Sequence, residues 1–222
     1  MPDDLVRSAY QDEQIAEQYD ETRFASIRGR AGSDRDVSLV ARAIGELAGA
    51  PTSILDVACG SGRVTEPLTD RFPSSTVVGL DGSLQMLGTA SAKAGLRSRS
   101  FVQADATALP FVADAFDVVT SVRFLGHLDE DSSRRFFAEL ARVARSLVVV
   151  DVSVTSRVVD FRRRLERRLK GSYLGFQEEW TWRTFGSADL ADILAEAGLE
   201  QISLRRKMVG WSDARVLAAR PR

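Results

Sequence analysis

The chain has 222 residues, 44% hydrophobic and 27% charged, a composition that excludes a disordered or fibrous protein. Its 30 basic and 31 acidic residues leave a net charge of −1, so no general attraction to nucleic acid is expected. One cysteine, Cys59, and one histidine, His127, argue against an internal disulfide and a metal site of soft ligands; without a leader-like or long apolar run, we expect a cytoplasmic protein with no membrane span.

The predicted elements begin with a helical segment and continue as strands that alternate with helices. Apolar residues recur at helical spacing between Val37 and Leu47, behind the N-cap candidates Ser33 and Asp34, and we assign residues 1–50 to an N-terminal helical lid. Helical patterns then separate short apolar runs, which are SILDVA, TVVGL, SFVQA, FDVVTSV and SLVVVDV. This alternation predicts a parallel sheet with helices on both faces.

The C-terminal part of the chain adds helices and two more strands. We predict a basic amphipathic helix between Val158 and Lys170, and a helix from about Ala188 that Ser187 caps and Gly198 ends. The runs LEQISLRRKMV and ARVLAAR read as strands. The fold class is therefore α/β, a doubly wound, Rossmann-like, mostly parallel sheet of seven strands with an N-terminal helical lid and a C-terminal helical insertion.

We predict one structural domain, with a core over residues 51–222 that contains a substrate lid over residues 155–186. The apolar stripe of the basic helix either docks on the body of the protein or contacts an anionic or lipid-bound acceptor. The aromatic residues Trp180, Trp182 and Phe185 either line an apolar acceptor pocket or pack the lid.

A glycine-containing turn follows the first predicted strand. Asp56 ends that strand, and the turn Gly60-Ser61-Gly62 leads into a helix whose free N–H groups could bind an anion. In a dinucleotide-binding turn a third glycine would stand where this chain has Thr65, and Asp56 would lie beside a pyrophosphate, where a negative charge is unfavourable. The turn therefore favours a cofactor with an ammonium group.

Two further acids end the next strands. Asp81 follows the turn at about the 20-residue separation expected for an acid that binds a ribose diol. Asp105 ends the third strand. Each acid alone is as readily a solvated or helix-capping aspartate, but consecutive parallel strands deliver all three to one edge of the sheet.

The motifs ILDVACGSGRVTEPL, VVGLDGSLQML and FVQADATALPF resemble the class I S-adenosylmethionine-dependent methyltransferases, in particular the small-molecule branch that includes ubiquinone and menaquinone biosynthesis enzymes. The resemblance covers about Ile54 to Val152. It implies S-adenosyl-L-methionine as cofactor and transfer of its methyl group, by in-line displacement, to an O, N or C atom of a small molecule. The cofactor contacts that it implies are Tyr19, Asp56, Ala58, Gly60, Ser61, Gly62, Asp81, Gly82, Met86, Asp105, Ala106, Ser121 and Arg123.

Several assignments within this resemblance leave alternatives. Ala58 stands where the family usually has glycine, which predicts a less tight first bend. His127 is either a general base or a residue that only positions its loop. Tyr19 is either part of a lid over the cofactor or a packing residue.

Other functions are weighed against the methyltransferase. A nucleic-acid methyltransferase is disfavoured because Ser-Val-Arg-Phe replaces the Asn/Asp-Pro-Pro-aromatic run after the fourth strand. A nicotinamide-dependent dehydrogenase is disfavoured by the turn. A non-catalytic protein that binds the cofactor remains the alternative from another class.

Overall fold

The computed structural model describes residues 27–97, 99–154, 184–206 and 214–222. The strands are β1 (Ser53–Val57), β2 (Thr76–Asp81), β3 (Ser100–Gln103), β4 (Phe116–Ser121), β5 (Ala144–Ser153), β6 (Leu199–Arg206) and β7 (Ala214–Pro221). The α-helices are α1 (Ile27–Leu47), α2 (Thr65–Arg71), α3 (Leu84–Ala92), α4 (Glu130–Val143) and α5 (Ser187–Glu196). Short 3₁₀ helices cover Ala94–Leu96 and Leu125–His127.

The seven strands form one sheet in the order β3-β2-β1-β4-β5-β7-β6. The pairs among β1 to β5 are parallel, and β7 runs antiparallel to both β5 and β6. The predicted fold class is therefore confirmed. The strand order reverses between β1 and β4, and in a doubly wound sheet the crevice beyond the carboxyl ends of such strands is the usual ligand site.

The central strands are apolar on both sides because helices cover both faces. Along β1, Ile54 packs in the cluster that includes α1 and α2, whereas Leu55 packs in the cluster that includes α4 and α5. Val118 and Val119 of β4 divide in the same way. This alternation explains why the strands read as unbroken apolar runs in the sequence.

Two predicted helix caps are wrong. Helix α1 is described from Ile27 to Leu47, so Ser33 and Asp34 lie inside it and do not cap it. Helix α5 begins at Ser187 with Gly186 as its N-cap residue, so Ser187 is the first helical residue. Residues that favour caps also occur inside helices, where side-chain preference gives way to tertiary packing.

Several predicted features lie outside the described residues: Tyr19 with most of the N-terminal lid, the basic helix, Trp180 and Trp182. Phe185 is described, and it is 1% exposed in the core with Val154, to which it is paired by a parallel bridge. Phe185 is therefore a packing residue. Within the described ranges, no helix is long and apolar enough to cross a bilayer.

Candidate functional site

A crevice of about 390 Å³ opens at the carboxyl ends of β1, β2 and β4. Ligand pockets typically measure about 300–1,000 Å³, so a cofactor-sized molecule fits at the lower end of that range. The structure brings most of the predicted site residues to its wall. These are Asp56, Ala58, Gly60, Ser61, Asp81, Gly82, Met86, Asp105, Ala106, Arg123 and His127.

The turn after β1 has three residues in the left-handed region of backbone space: Ala58 at φ 57°, Gly60 at 55° and Gly62 at 77°. The bend at Ala58 is therefore as tight as a glycine would make it, and the expectation of a looser bend is wrong. Left-handed backbone costs a residue with a Cβ roughly 1–2 kcal/mol. The alanine thus carries backbone strain at the wall of the crevice.

The two glycines of the turn leave room for different neighbouring side chains. A Cβ on Gly60 would stand 3.2 Å from Cε of Met86, which lines the crevice. A Cβ on Gly62 would stand 2.6 Å from Cδ1 of Leu96 and 3.1 Å from Cβ of Ala90, away from the crevice wall. Gly62 therefore lets the turn pack closely on α3 and its following 3₁₀ helix, and we do not retain it as a cofactor contact.

Asp56 lies beneath the turn and is 1% exposed. Its Oδ2 accepts a hydrogen bond of 2.7 Å from Oγ1 of Thr65 in the first turn of α2. Burial raises the pKa of Asp56 to about 7, against a lowering by the Thr65 hydrogen bond and by the positive charge of Arg63. A cation that lies close to a buried carboxylate of this kind stabilises its ionised form.

Asp81 connects the turn to the second strand. Its Oδ2 accepts from the backbone N of Gly60 at 2.8 Å, and its Oδ1 accepts from the backbone N of Ser83 at 2.9 Å. Burial raises the pKa of Asp81, and these backbone hydrogen bonds oppose the rise. Two oxygens held in fixed directions at the crevice wall can accept further hydrogen bonds from a diol.

The third acid lies just beyond the strand that was predicted to end in it. Strand β3 ends at Gln103, and Asp105 is the second residue of the following loop. Its Oδ1 accepts from both the backbone N and Oγ1 of Thr107, each at 2.8 Å. This local turn fixes the carboxylate at the same crevice wall as Asp56 and Asp81.

The wall after β4 is held by an ion pair and contains another left-handed residue. Arg123, at φ 62°, donates its backbone N–H to Oδ1 of Asp151 at 2.6 Å. Its guanidinium donates to Oδ2 of Asp36, a residue of α1 that is 5% exposed. Arg123 therefore joins the crevice to α1 and β5.

His127 and Ser121 differ in their relation to the crevice. His127 ends the 3₁₀ helix and lines the crevice beside Phe124. Ser121 is fully buried and outside the crevice lining, and within the described residues its Oγ has no hydrogen-bond partner. We therefore keep His127 as a candidate and do not retain Ser121 as a cofactor contact.

Sequence reasoning missed Thr65 as a partner of Asp56, and it placed Cys59 in the turn without counting it as a separate contact. Thr65 was noted only as the place of a missing glycine, and its spacing of nine residues from Asp56 carries no familiar signal. Cys59 lines the crevice between two predicted residues. Burial raises the pKa of the Cys59 thiol well above its ordinary value, so it is protonated and poorly nucleophilic. Within the described residues, no group of acids, histidines and cysteines could hold a metal ion.

Known proteins resemble this chain in sequence and in fold. Residues 54–146 match the family described as "Methyltransferase domain". A demethylmenaquinone methyltransferase of Renibacterium salmoninarum is 36% identical over 156 residues, which are 68% of this chain and 60% of that protein. A trans-aconitate 2-methyltransferase of Acidovorax ebreus is 45% identical over 83 residues, 37% of this chain and 29% of that protein. The chain thus spans 60% or less of these relatives' lengths.

The fold has a close counterpart among solved structures. The crystal structure of magnesium protoporphyrin IX methyltransferase from Synechocystis with bound SAH superimposes with a TM-score of 0.77. The identity is 19%, and the match covers 99% of each chain. The agreement in fold therefore covers more of the chain than the match to the sequence family does.

Proposed function

We propose that the protein is an S-adenosylmethionine-dependent methyltransferase that acts on a small molecule, since residues 54–146 match the methyltransferase domain family. The observation that carries the proposal is the convergence of Asp56, Asp81 and Asp105 on one crevice with a left-handed glycine turn. These are the polar groups that an ammonium, a ribose diol and an adenine edge require.

The buried carboxylate of Asp56 provides the test of fit for such a cofactor. A dinucleotide would bring a pyrophosphate against the glycine turn above it, and two negative charges would then meet in a site shielded from water. A ligand with an ammonium group would instead neutralise Asp56. The residues present therefore fit S-adenosylmethionine better than a nicotinamide dinucleotide.

Each part of the wall then has a binding role. Ala58, Gly60 and Ser61 hold the methionine part by close backbone approach, with Asp56 at its amino group. Asp81 and Gly82 hold the ribose. Met86 packs on the adenine, and Asp105 and Ala106 contact its edge. Tyr19 is proposed as part of the cover over the cofactor.

When bound, S-adenosylmethionine supplies an activated methyl group on a positively charged sulfur. The protein's contribution is to align the acceptor and to exclude water, and such positioning accounts for a large part of the acceleration in reactions of this kind. His127 lies at the crevice wall, where its imidazole can take a proton from a hydroxyl or phenol acceptor. An acceptor that is already ionised needs no such base.

The acceptor is proposed to be a small organic molecule. The relatives' names concern demethylmenaquinone and trans-aconitate, which are small molecules of different polarity. Phe124 on the β4 side of the crevice offers an apolar surface for such a molecule, and Arg123, whose guanidinium is paired with Asp36, offers a polar one.

The proposal is tested by titrating the protein with S-adenosylhomocysteine and with NADH, and by assaying methyl transfer to a panel of quinols, phenols, carboxylic acids and amines. We expect micromolar binding of S-adenosylhomocysteine, no comparable binding of NADH, and transfer to at least one class of acceptor. Tighter binding of NADH would contradict the proposal. Cofactor binding without transfer to any acceptor would favour a non-catalytic binding protein.

The role of His127 is tested separately with His127→Ala. If the imidazole is the base, turnover with a phenol or alcohol falls on the order of 100-fold or more, whereas affinity for S-adenosylhomocysteine changes little. Turnover within a few-fold of the parent would leave His127 as a positioning residue.

A further inference from the structure

The loop at residues 104–115, between β3 and β4, brings Asp105 and Ala106 to the crevice. Its first residue, Ala104, donates its backbone N–H to the carbonyl of Asp81 at 3.1 Å, which ties the start of the loop to β2. The next residues are held by short-range bonds, those from Thr107 to Asp105 and from the backbone N of Ala108 to the carbonyl of Asp105. These bonds do not hold the residues that follow, and contacts from outside the loop fix those.

The last turns of α4 supply that attachment through Glu139 and Arg142. Oε2 of Glu139 accepts from the backbone N of Leu109 at 2.7 Å. The Arg142 guanidinium donates to the carbonyls of Phe111 at 2.7 Å and of Leu109 at 3.0 Å. The same pair of side chains thus binds a donor and two acceptors of the loop backbone.

The two side chains also hold each other. Nε of Arg142 donates to Oε1 of Glu139 at 2.7 Å, and one terminal nitrogen donates to Oε2 at 2.8 Å. This bidentate geometry requires a planar guanidinium, which lysine lacks. The mutual hydrogen bonds raise the pKa of Arg142 and lower that of Glu139, so both stay charged across the physiological range.

A second ion pair on the same helix shows what an ordinary surface contact looks like here. Arg134 bonds Glu130, one turn earlier, and Glu196 of α5. In each of these contacts the partner is a side chain that is more than half exposed. The Arg134 pairs involve no backbone of the crevice, whereas the Arg142 pair binds the backbone of a loop that forms part of its wall.

We propose that Glu139 and Arg142 are positioning residues for cofactor binding, which fix the loop that carries Asp105 and Ala106 at the crevice from 30 or more residues away in the chain. The inference rests on the proposed function and deepens it. The pair touches no cofactor atom in this assignment. It acts through the loop, and its loss weakens binding on the adenosine side of the crevice.

The experiment compares Arg142→Met and Arg142→Lys with Arg134→Met as the matched control on the same helix. Calorimetry with S-adenosylhomocysteine gives the affinity, and steady-state kinetics separate KM for the cofactor from kcat. We expect Arg142→Met to weaken binding roughly tenfold, the size expected when charged hydrogen bonds are lost. Arg142→Lys restores little, Arg134→Met stays within twofold, and kcat at saturating cofactor changes less than KM.

A double-mutant cycle with Asp105→Asn tests whether the pair acts through that loop. If it does, Arg142→Met costs less affinity in the Asp105→Asn background than in the parent. Additive effects would overturn the proposal. So would parental affinity in Arg142→Met with a lowered Tm, since a purely structural ion pair behaves in that way.

Two further variants separate the possible failures. Glu139→Gln keeps the shape of the side chain and replaces Arg142→Met if that variant does not fold, with the same expectation of weaker binding. If Asp105→Asn weakens binding while Glu139→Gln and Arg142→Met do not, the positioning role is wrong and the proposed function stands. If S-adenosylhomocysteine fails to bind the parent protein, the proposed function itself is wrong.

Discussion

Two aspartates at opposite ends of the sheet have environments that act on their charge in opposite directions. Asp56, near the carboxyl end of β1, is buried, and burial raises its pKa to about 7. Asp117, near the start of β4, accepts from the backbone N and Oγ1 of Thr52 and pairs with Arg145. The Thr52 hydroxyl bond is the largest cause that lowers the pKa of Asp117.

The comparison shows that the folded protein stabilises the ionised form of Asp117 and destabilises the ionised form of Asp56. At the end of the sheet opposite the crevice, the carboxylate of Asp117 joins β1 to β4. Hydrogen-bond donors of the protein itself stabilise its charge there. At the crevice, ionisation of Asp56 costs stability until a cationic ligand arrives. Functional residues commonly lower the stability of the unliganded protein in this way.

The largest expected effect is that of Asp56→Asn, which removes the costly charge and keeps an acceptor for Thr65. Affinity for S-adenosylhomocysteine should fall roughly 30- to 100-fold at pH 8, because a charge-assisted contact is lost. The free energy of unfolding of the unliganded protein should rise by on the order of 2 kcal/mol at pH 8. Calorimetry and urea unfolding measure the two effects.

The pH dependence of stability and of affinity for S-adenosylhomocysteine provides the control for Asp56→Asn. Because folding raises the pKa of Asp56 from 3.8 to about 7, its contribution to stability is present below pH 3.8 and is lost as the pH rises through 7. The variant should therefore lack this loss, and the parent's affinity for S-adenosylhomocysteine should weaken as the pH falls below about 7. Unchanged affinity in the variant would remove Asp56 from the proposed site.

The next largest effect is that of Asp117→Ala, which should lower the free energy of unfolding by about 2 kcal/mol at pH 7 and leave S-adenosylhomocysteine affinity within twofold. The variant leaves backbone donors of Thr52 and Ser53 without their acceptor. Urea unfolding measures the loss, with the exposed Asp70→Ala as control.

Here the pH dependence has the opposite sign to that of Asp56. Folding lowers the pKa of Asp117, so its stabilisation is present above the unfolded value of 3.8 and is lost as the pH falls below it. The gap between parent and Asp117→Ala should therefore narrow at pH 3. A gap that stays constant from pH 7 to pH 3 would show that the charge of Asp117 contributes nothing.

The smallest expected effect concerns the backbone conformation of Ala58. Ala58→Gly relieves the left-handed strain at the crevice and should stabilise the protein by about 0.5–1 kcal/mol, after the greater flexibility of glycine in the unfolded chain is deducted. Thermal unfolding measures the gain as a rise in Tm. Ala92→Gly, at the exposed end of α3, is the control and should destabilise by a similar amount. Equal signs in the two variants would refute strain at Ala58.

Much of the fold and part of the site could be predicted from short stretches of sequence. Apolar runs such as those around Val118 and Val149 predicted central parallel strands, because residues buried on both faces must all be apolar. Asp56 and Asp81 were predicted to share an edge because parallel strands end together. The family resemblance drawn from these motifs is confirmed over residues 54–146.

The features that sequence reasoning missed involve partners that lie in other elements. Thr65 donates to Asp56 only because α2 packs beside β1, and Gly62 is needed because Ala90 and Leu96 pack against it. Ser121 looked like a crevice residue by its place at the end of β4, but its side chain is buried in the core. None of these contacts has a fixed spacing that a pattern could detect.

The sequence by itself therefore determined the class of fold, the order of strands and helices, and the edge of the sheet where the acids meet, since periodicity and turn chemistry are local properties. Only the tertiary structure decided which oxygen of each acid is already engaged, that Ala58 adopts left-handed backbone, and that Glu139 and Arg142 hold the Asp105 loop. Those outcomes depend on distances between elements far apart in the chain, and such distances exist only after the core has packed.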